Sequence, residues 1–300
     1  MTVFLIPRIA ATLWHYGACR SGEALQPENA QPTAAQGSYV GFAPVVFSQK
    51  PTVENSQEKA APKAAIKAET VTMRGQSYTA LPHTEAEINE VGDLLSQHQY
   101  EAITFTRQKA TLQQLKQILQ QQPNVKFLHL AAHGTYNAKH PELSGIVLSP
   151  DEDMNHTPKE NTNELSELEA ELLASKERDP AEQHGAMLYV GETYQLNLRG
   201  VELVVLSCCD TGLGKLATGE GMLAINRGFL YAGAKNVLFT LFKVPDEHSK
   251  LLVTTFFAQL FIVKNHAKAL QLAKQTLIRT QGVCPIDWAG FVLMGNNKGF

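Results

Sequence analysis

Three hundred residues, 44% of them hydrophobic and 18% charged, exclude global disorder and suit two domains or one large α/β domain with a full core. Lys plus Arg is 26 and Asp plus Glu is 29, a net charge of −3 that argues against a general nucleic-acid binder. No run approaches the roughly 18 apolar residues of a membrane span, and four cysteines, two of them adjacent, suit a reducing cytosol rather than a disulfide framework.

Met1 to Cys19 is apolar and ends in Tyr-Gly-Ala-Cys, loosely like a lipoprotein cleavage site. It lacks a basic leader and is broken by Pro7 and Arg8, so a cytoplasmic protein is expected. The polar stretch from Ser48 to Lys63 reads as a linker or mobile loop. Thr84 and Glu87 form a capping-box pattern ahead of a helix with Ile88, Val91, Leu94 and Leu95 on one face. Thr111 and Gln114 do the same for a helix carrying Leu112, Leu115, Ile118 and Leu119, which stops at Pro123.

Short apolar runs follow at Lys126 to Ala132, Glu202 to Ser207, Asn236 to Leu241 and Trp288 to Gly295. Helices are predicted between them from about Glu220 to Tyr231, Glu247 to Ile262 and Ala267 to Thr280. Runs apolar on both faces and spaced by helices predict a mostly parallel sheet with helices on both faces. Between the first and second of these apolar runs, Asp151 to Glu182 holds eleven acidic and three basic side chains and reads as a solvated insertion.

In open α/β sheets the working site lies beyond the carboxyl ends of the strands. Two strands end in reactive side chains: His133 before Gly134, and Cys209 before Asp210. A cysteine becomes a nucleophile as the thiolate, and a facing imidazole can take its proton and return one to a leaving amine. Gly134, without a side chain, would let its backbone N–H approach an oxyanion, and the Cys209 N–H would be a second donor. His129, inside its strand, reads as a satisfied core histidine, and Cys208 as a small core residue on the face opposite Cys209. No second ligand pair has zinc spacing, and Gly219-Glu220-Gly221 lacks both the GxGxxG spacing and a Walker lysine, so no metal or cofactor is expected.

Five blocks carry a specific resemblance: LHLAAHGTYN (Leu128 to Asn137), HPELSGIVLS (His140 to Ser149), Gly191 to Gly221 with LSCCDTG at its centre, Arg227 to Ser249, and DWAGFVLMG (Asp287 to Gly295). Together, in this order, they resemble the CHAT-domain cysteine peptidases of bacterial TPR-CHAT proteins, relatives of caspase and separase. Residues 1 to 75 match poorly, apart from Ser38 to Phe47. The resemblance implies a caspase-like domain over residues 76–300, after a divergent, partly flexible segment 1–75, with an acidic insertion at about 151–184. It places the family nucleophile on Cys209 and the family histidine on His133. It also sets Asp246 where separase-like members hold a basic P1 residue, although Asp246 reads equally as the N-cap of the helix it precedes. Cys208 stands for a usual alanine, Asp210 for glutamate, Phe242 for a frequent tryptophan and Pro245 for a polar residue.

The expected activity is cleavage of protein or peptide substrates after Arg, less efficiently Lys. Regulation is expected through a TPR-type or other partner, or by self-cleavage in the insertion, where Lys159, Lys176 and Arg178 lie. The alternative is a catalytically silent scaffold that binds a protein partner. Neither nucleic acid nor membrane is expected as a partner.

Overall fold

A computed structural model describes residues 35–44, 70–73, 76–79, 81–135, 144–150, 186–208, 220–280 and 283–296. In chain order the elements are β1 (Gly37–Ala43), β2 (Thr70–Met73), β3 (Gln76–Thr79), α1 (Thr84–Gln97), β4 (Tyr100–Thr106), α2 (Leu112–Gln121), β5 (Val125–Leu130), β6 (His133–Thr135), β7 (Gly145–Val147), β8 (Met187–Tyr189), α3 (Val190–Thr193), β9 (Leu203–Leu206), α4 (Glu220–Tyr231), β10 (Asn236–Thr240), α5 (Asp246–Val263), α6 (His266–Arg279) and β11 (Phe291–Gly295). The three helices expected in the second half lie within a residue or so of their predicted ends.

The main sheet has the order β11–β10–β9–β5–β1–β4. β4, β1, β5, β9 and β10 run parallel, and β11 closes one edge antiparallel to β10. β1 comes from ahead of residue 76 and occupies an inner position, paired on both sides, so the sheet takes one of its central strands from the N-terminal part of the chain.

Strand parity divides the core in two. Val40, Phe42, Leu128, Leu130, Val204, Leu206, Val237 and Phe239 pack on one side with α2 and α4. Tyr39, Phe127, Leu203, Val205 and Leu238 pack on the other with α1, α5 and α6. Both faces being covered explains why the strands read as unbroken apolar runs. This is the caspase-like, mostly parallel α/β sheet flanked by helices that the resemblance implies. Gly228 lets α4 approach α3 closely, because a Cβ there would overlap the Thr193 hydroxyl.

The two capping patterns have different outcomes. Thr111 accepts the Gln114 N–H at 3.1 Å and caps α2 as expected. At α1 the expected box does not form: His83 is the N-cap without a side-chain bond, and the Thr84 hydroxyl donates to the Leu81 carbonyl at 2.9 Å. Glu87 is fully buried, and its Oε1 accepts from His129 Nε2 at 2.8 Å instead of reaching back to the helix start. A Thr-x-x-Glu pattern marks the first turn correctly, but a stronger, charge-assisted partner takes the carboxylate.

Phe257 of α5 is fully buried and makes edge contacts with Phe127, Tyr39 and Phe256. Phe257→Ala should lower unfolding stability by about 3–5 kcal/mol, the usual cost of an aromatic deletion in a close-packed interior. The midpoint of urea unfolding measures it, and a change below about 1 kcal/mol would contradict this packing.

Candidate active site

β5 and β9 are neighbours, paired in parallel with His129 opposite Val205 and Leu130 opposite Leu206. Whatever follows Leu130 and Leu206 therefore emerges at one carboxyl edge. After β5 the Ala131 N–H donates to the Phe42 carbonyl at 2.8 Å, which carries the chain out along β1. His133 then opens β6, the first strand of a small antiparallel sheet of order β6–β7–β8, with His133 opposite Val147 and Gly134 opposite Ile146. His133 is buried, with 3% of its surface exposed, and Gly134 beside it is buried too.

After β9 the Ser207 N–H donates to the Leu130 carbonyl at 3.0 Å. The Cys208 Sγ donates to the same carbonyl at 3.2 Å, and the Thr240 hydroxyl donates to the Cys208 carbonyl at 3.5 Å. Cys208 is buried among Leu128, Leu130 and Leu206 on the α2 and α4 side, the small core role expected of it. Cys209, the expected nucleophile, lies outside the described residues, as does the acidic stretch from Asp151 to Glu182. The pairing thus sets the end of the strand that leads to His133 beside the end of the strand that leads to Cys209.

Asp246 lies at the same edge, after β10. It is not the N-cap of its own helix: Pro245 holds that position, and Asp246 stands in the first turn of α5. Its Oδ2 accepts the His83 N–H at 2.7 Å, so the carboxylate caps the start of α1, a different helix. Burial raises its pKa above the ordinary carboxylate value. The His83 N–H opposes that rise, the negative charge of Glu87 adds to it, and the charges of His83 and His133 oppose it. Asp246 is thus electrostatically coupled to His133, and among the described residues no lysine or arginine forms an ion pair with it.

One group beneath the site was not expected as more than a cap. Glu87 sets a fully buried carboxylate on the α1 face that also buries Ile88, Val91 and Leu95. The signal in the sequence was an acidic residue within the apolar stripe of a helix, at the helical spacing of core positions. Among the described residues, no group of three or more His, Cys, Asp and Glu side chains could hold a metal ion. No helix among them is long and apolar enough to cross a membrane.

A family model described as the CHAT domain matches residues 18–296. The chain is 25% identical over 256 residues to "Tetratricopeptide repeat protein 28" of Homo sapiens, covering 82% of this chain and 10% of that protein. It is 26% identical, with the same coverage, to the protein of that name from Mus musculus. The chain spans about a tenth of the length of these curated relatives.

The raised Asp246 pKa gives a stability test with a defined sign. For an acid whose folded pKa lies above its unfolded value, ionisation favours the unfolded chain, so the ionised group destabilises the fold above that range. Asn at 246 can still accept the His83 N–H. Asp246→Asn should therefore melt at a higher temperature than wild type at pH 7, and the difference should vanish as pH falls below the ordinary carboxylate pKa. Thermal melts of both proteins from pH 3 to pH 8 measure this, and a variant less stable at pH 7 would show the buried charge to be well compensated.

Proposed function

The chain belongs to the CHAT-domain family, which is related to the caspase-type cysteine peptidases, and from that premise we propose that it is a cysteine endopeptidase with Cys209 as nucleophile and His133 as its base. The observation that supports this reading is the parallel pairing of β5 and β9, two neighbouring strands whose carboxyl ends lead on in the chain to His133 and to Cys209. Strand ends of this kind are where open α/β sheets hold their chemistry.

The mechanism follows from the groups. His133 takes the proton of the Cys209 thiol, and the thiolate sulfur attacks the scissile carbonyl carbon, forming a C–S bond as the carbonyl π pair moves onto oxygen. The backbone N–H groups of Gly134 and Cys209 hold that oxyanion. Collapse of the intermediate breaks the C–N bond, and His133-H⁺ gives its proton to the departing amine. Water then enters, losing a proton to His133 as it attacks the thioester, and the sulfur leaves with the proton returned. The substrate is a protein or peptide, and no cofactor takes part in this scheme.

Asp246 is the specificity carboxylate in this reading. It is half-buried, only one of its oxygens is used by His83, and it lies within electrostatic reach of His133. A carboxylate oxygen that takes no hydrogen bond among the described residues suits a guanidinium at P1, with Arg favoured over Lys because of its fixed donor fork. The tetratricopeptide-repeat names of the relatives support control by a protein partner, whereas basic residues in the 151–184 insertion support control by self-cleavage.

Cys209→Ala and His133→Ala should each abolish peptide hydrolysis, and the double variant should be no worse than either, because members of one catalytic unit do not add. Activity surviving in Cys209→Ala moves the nucleophile elsewhere. An inactive wild type that still binds a protein partner makes the domain a scaffold. For specificity, losing one partner of a buried, bonded charge pair costs about 2–5 kcal/mol. At 1.36 kcal/mol per decade, Asp246→Ala should lower kcat/KM on P1-Arg peptides by roughly 30-fold to several thousand-fold. A P1 library reads this directly, and a wild-type preference for P1 Asp overturns the assignment.

A further inference from the structure

Below the sheet edge, a buried network links four elements. Glu87 of α1 is fully buried, and its two oxygens are used separately: Oε1 accepts from His129 of β5 at 2.8 Å, and Oε2 accepts from the Ser207 hydroxyl at 3.3 Å. His129 Nδ1 is hydrogen-bonded to the Tyr39 hydroxyl of β1 at 3.0 Å, and that hydroxyl lies 3.1 Å from the Ile88 carbonyl of α1. Tyr39 and His129 are both fully buried, and Ser207 is 5% exposed.

Space for the network is provided by Gly41, which pairs with His129 across β1 and β5. A Cβ at Gly41 would lie 2.8 Å from the Tyr39 hydroxyl and 3.2 Å from Ile88 Cβ, so any larger residue would push the Tyr39 ring off its partner. A buried carboxylate is costly to retain unless it is bonded, and an apolar residue at an α1–sheet contact would serve packing alone. Its placement therefore calls for a role beyond packing.

That role follows from which strands it joins. His129 is four residues ahead of His133, and Ser207 is two residues ahead of Cys209. We infer that Glu87 is a positioning residue for the proposed dyad: one carboxylate, held on α1, fastens both the strand that leads to His133 and the strand end that leads to Cys209. The inference rests on the endopeptidase reading in naming those two groups as the ones positioned. Ser207 is the more direct lever, because its hydroxyl is fixed by Glu87 while its N–H is fixed by Leu130, and it stands two residues ahead of Cys209 in the chain.

The test reads the thiol itself. The rate at which iodoacetamide alkylates Cys209, located by peptide mass mapping, is followed from pH 5 to pH 10 in wild type, His133→Ala, Glu87→Gln, Ser207→Ala and Ser207→Thr, alongside melting temperature and the kinetics of peptide hydrolysis. A thiol paired with His133 reacts well below the ordinary cysteine range. Glu87→Gln and Ser207→Ala should each slow alkylation at pH 7 by about tenfold and move the profile toward that of His133→Ala, and should lower kcat with little change in KM. Ser207→Thr, which keeps the hydroxyl, should restore the wild-type profile. A purely structural role lowers the melting temperature and leaves the profile in place, and that result overturns the inference. If Glu87→Gln does not fold, Ser207→Ala decides by the same criterion. A wild type that hydrolyses no peptide but alkylates in a His133-dependent way overturns the endopeptidase reading alone. A profile indifferent to His133→Ala overturns both.

Discussion

The pairing of β5 with β9 is the constraint on which the rest of the molecule depends. Parallel strands cannot be joined by a tight turn, so everything between Leu130 and Leu203 must leave the sheet and return. That excursion contains the small β6–β7–β8 sheet, and its first residue is His133. The His133 backbone is therefore paired in a second, antiparallel ladder, outside the main sheet that leads to it. A backbone position fixed by strand pairing suits a group whose orientation matters more than its packing.

α1 lies at the centre of the polar design. Its first turn receives the Asp246 carboxylate at the His83 N–H, and one turn on, Glu87 reaches under the strands to His129 and Ser207. A single helix is thus bonded to the strand leading to His133, to the strand leading to Cys209, and to the candidate specificity residue on α5. These contacts come from segments far apart in sequence, and the low dielectric around them strengthens each bond while making a missing partner expensive. Asp246 differs: it is partly desolvated, and among the described residues no lysine or arginine forms an ion pair with it.

Around these polar groups the packing is conventional. Aromatic residues of α5, notably Phe256, Phe257 and Phe261, fill the side of the sheet that carries His129, while aliphatic residues dominate the α2 and α4 side. The buried carboxylate and imidazole therefore sit against the aromatic face, with the Phe257 and His129 ring centroids 6.4 Å apart. Shape on this face is held by rings with few rotamers, which limits how far the network can relax when one of its members is removed.

By itself the sequence determined the periodicities: strand runs apolar on both faces, amphipathic helices between them, and therefore a mostly parallel sheet with helices on both faces. It also marked Cys208 as a core residue and the helix starts, because strand faces and caps depend on neighbouring residues. The tertiary structure alone decided which distant groups meet. A Thr-x-x-Glu pattern is the same whether Glu87 caps its own helix or reaches His129, and a carboxylate after a strand is the same whether Asp246 caps α5 or α1. Likewise, nothing local in Gly37–Ala43 specifies an inner place between β4 and β5. Such choices are made by competition among partners dozens of residues apart, and the winner is set by where the completed sheet brings them, which no window of neighbouring residues contains.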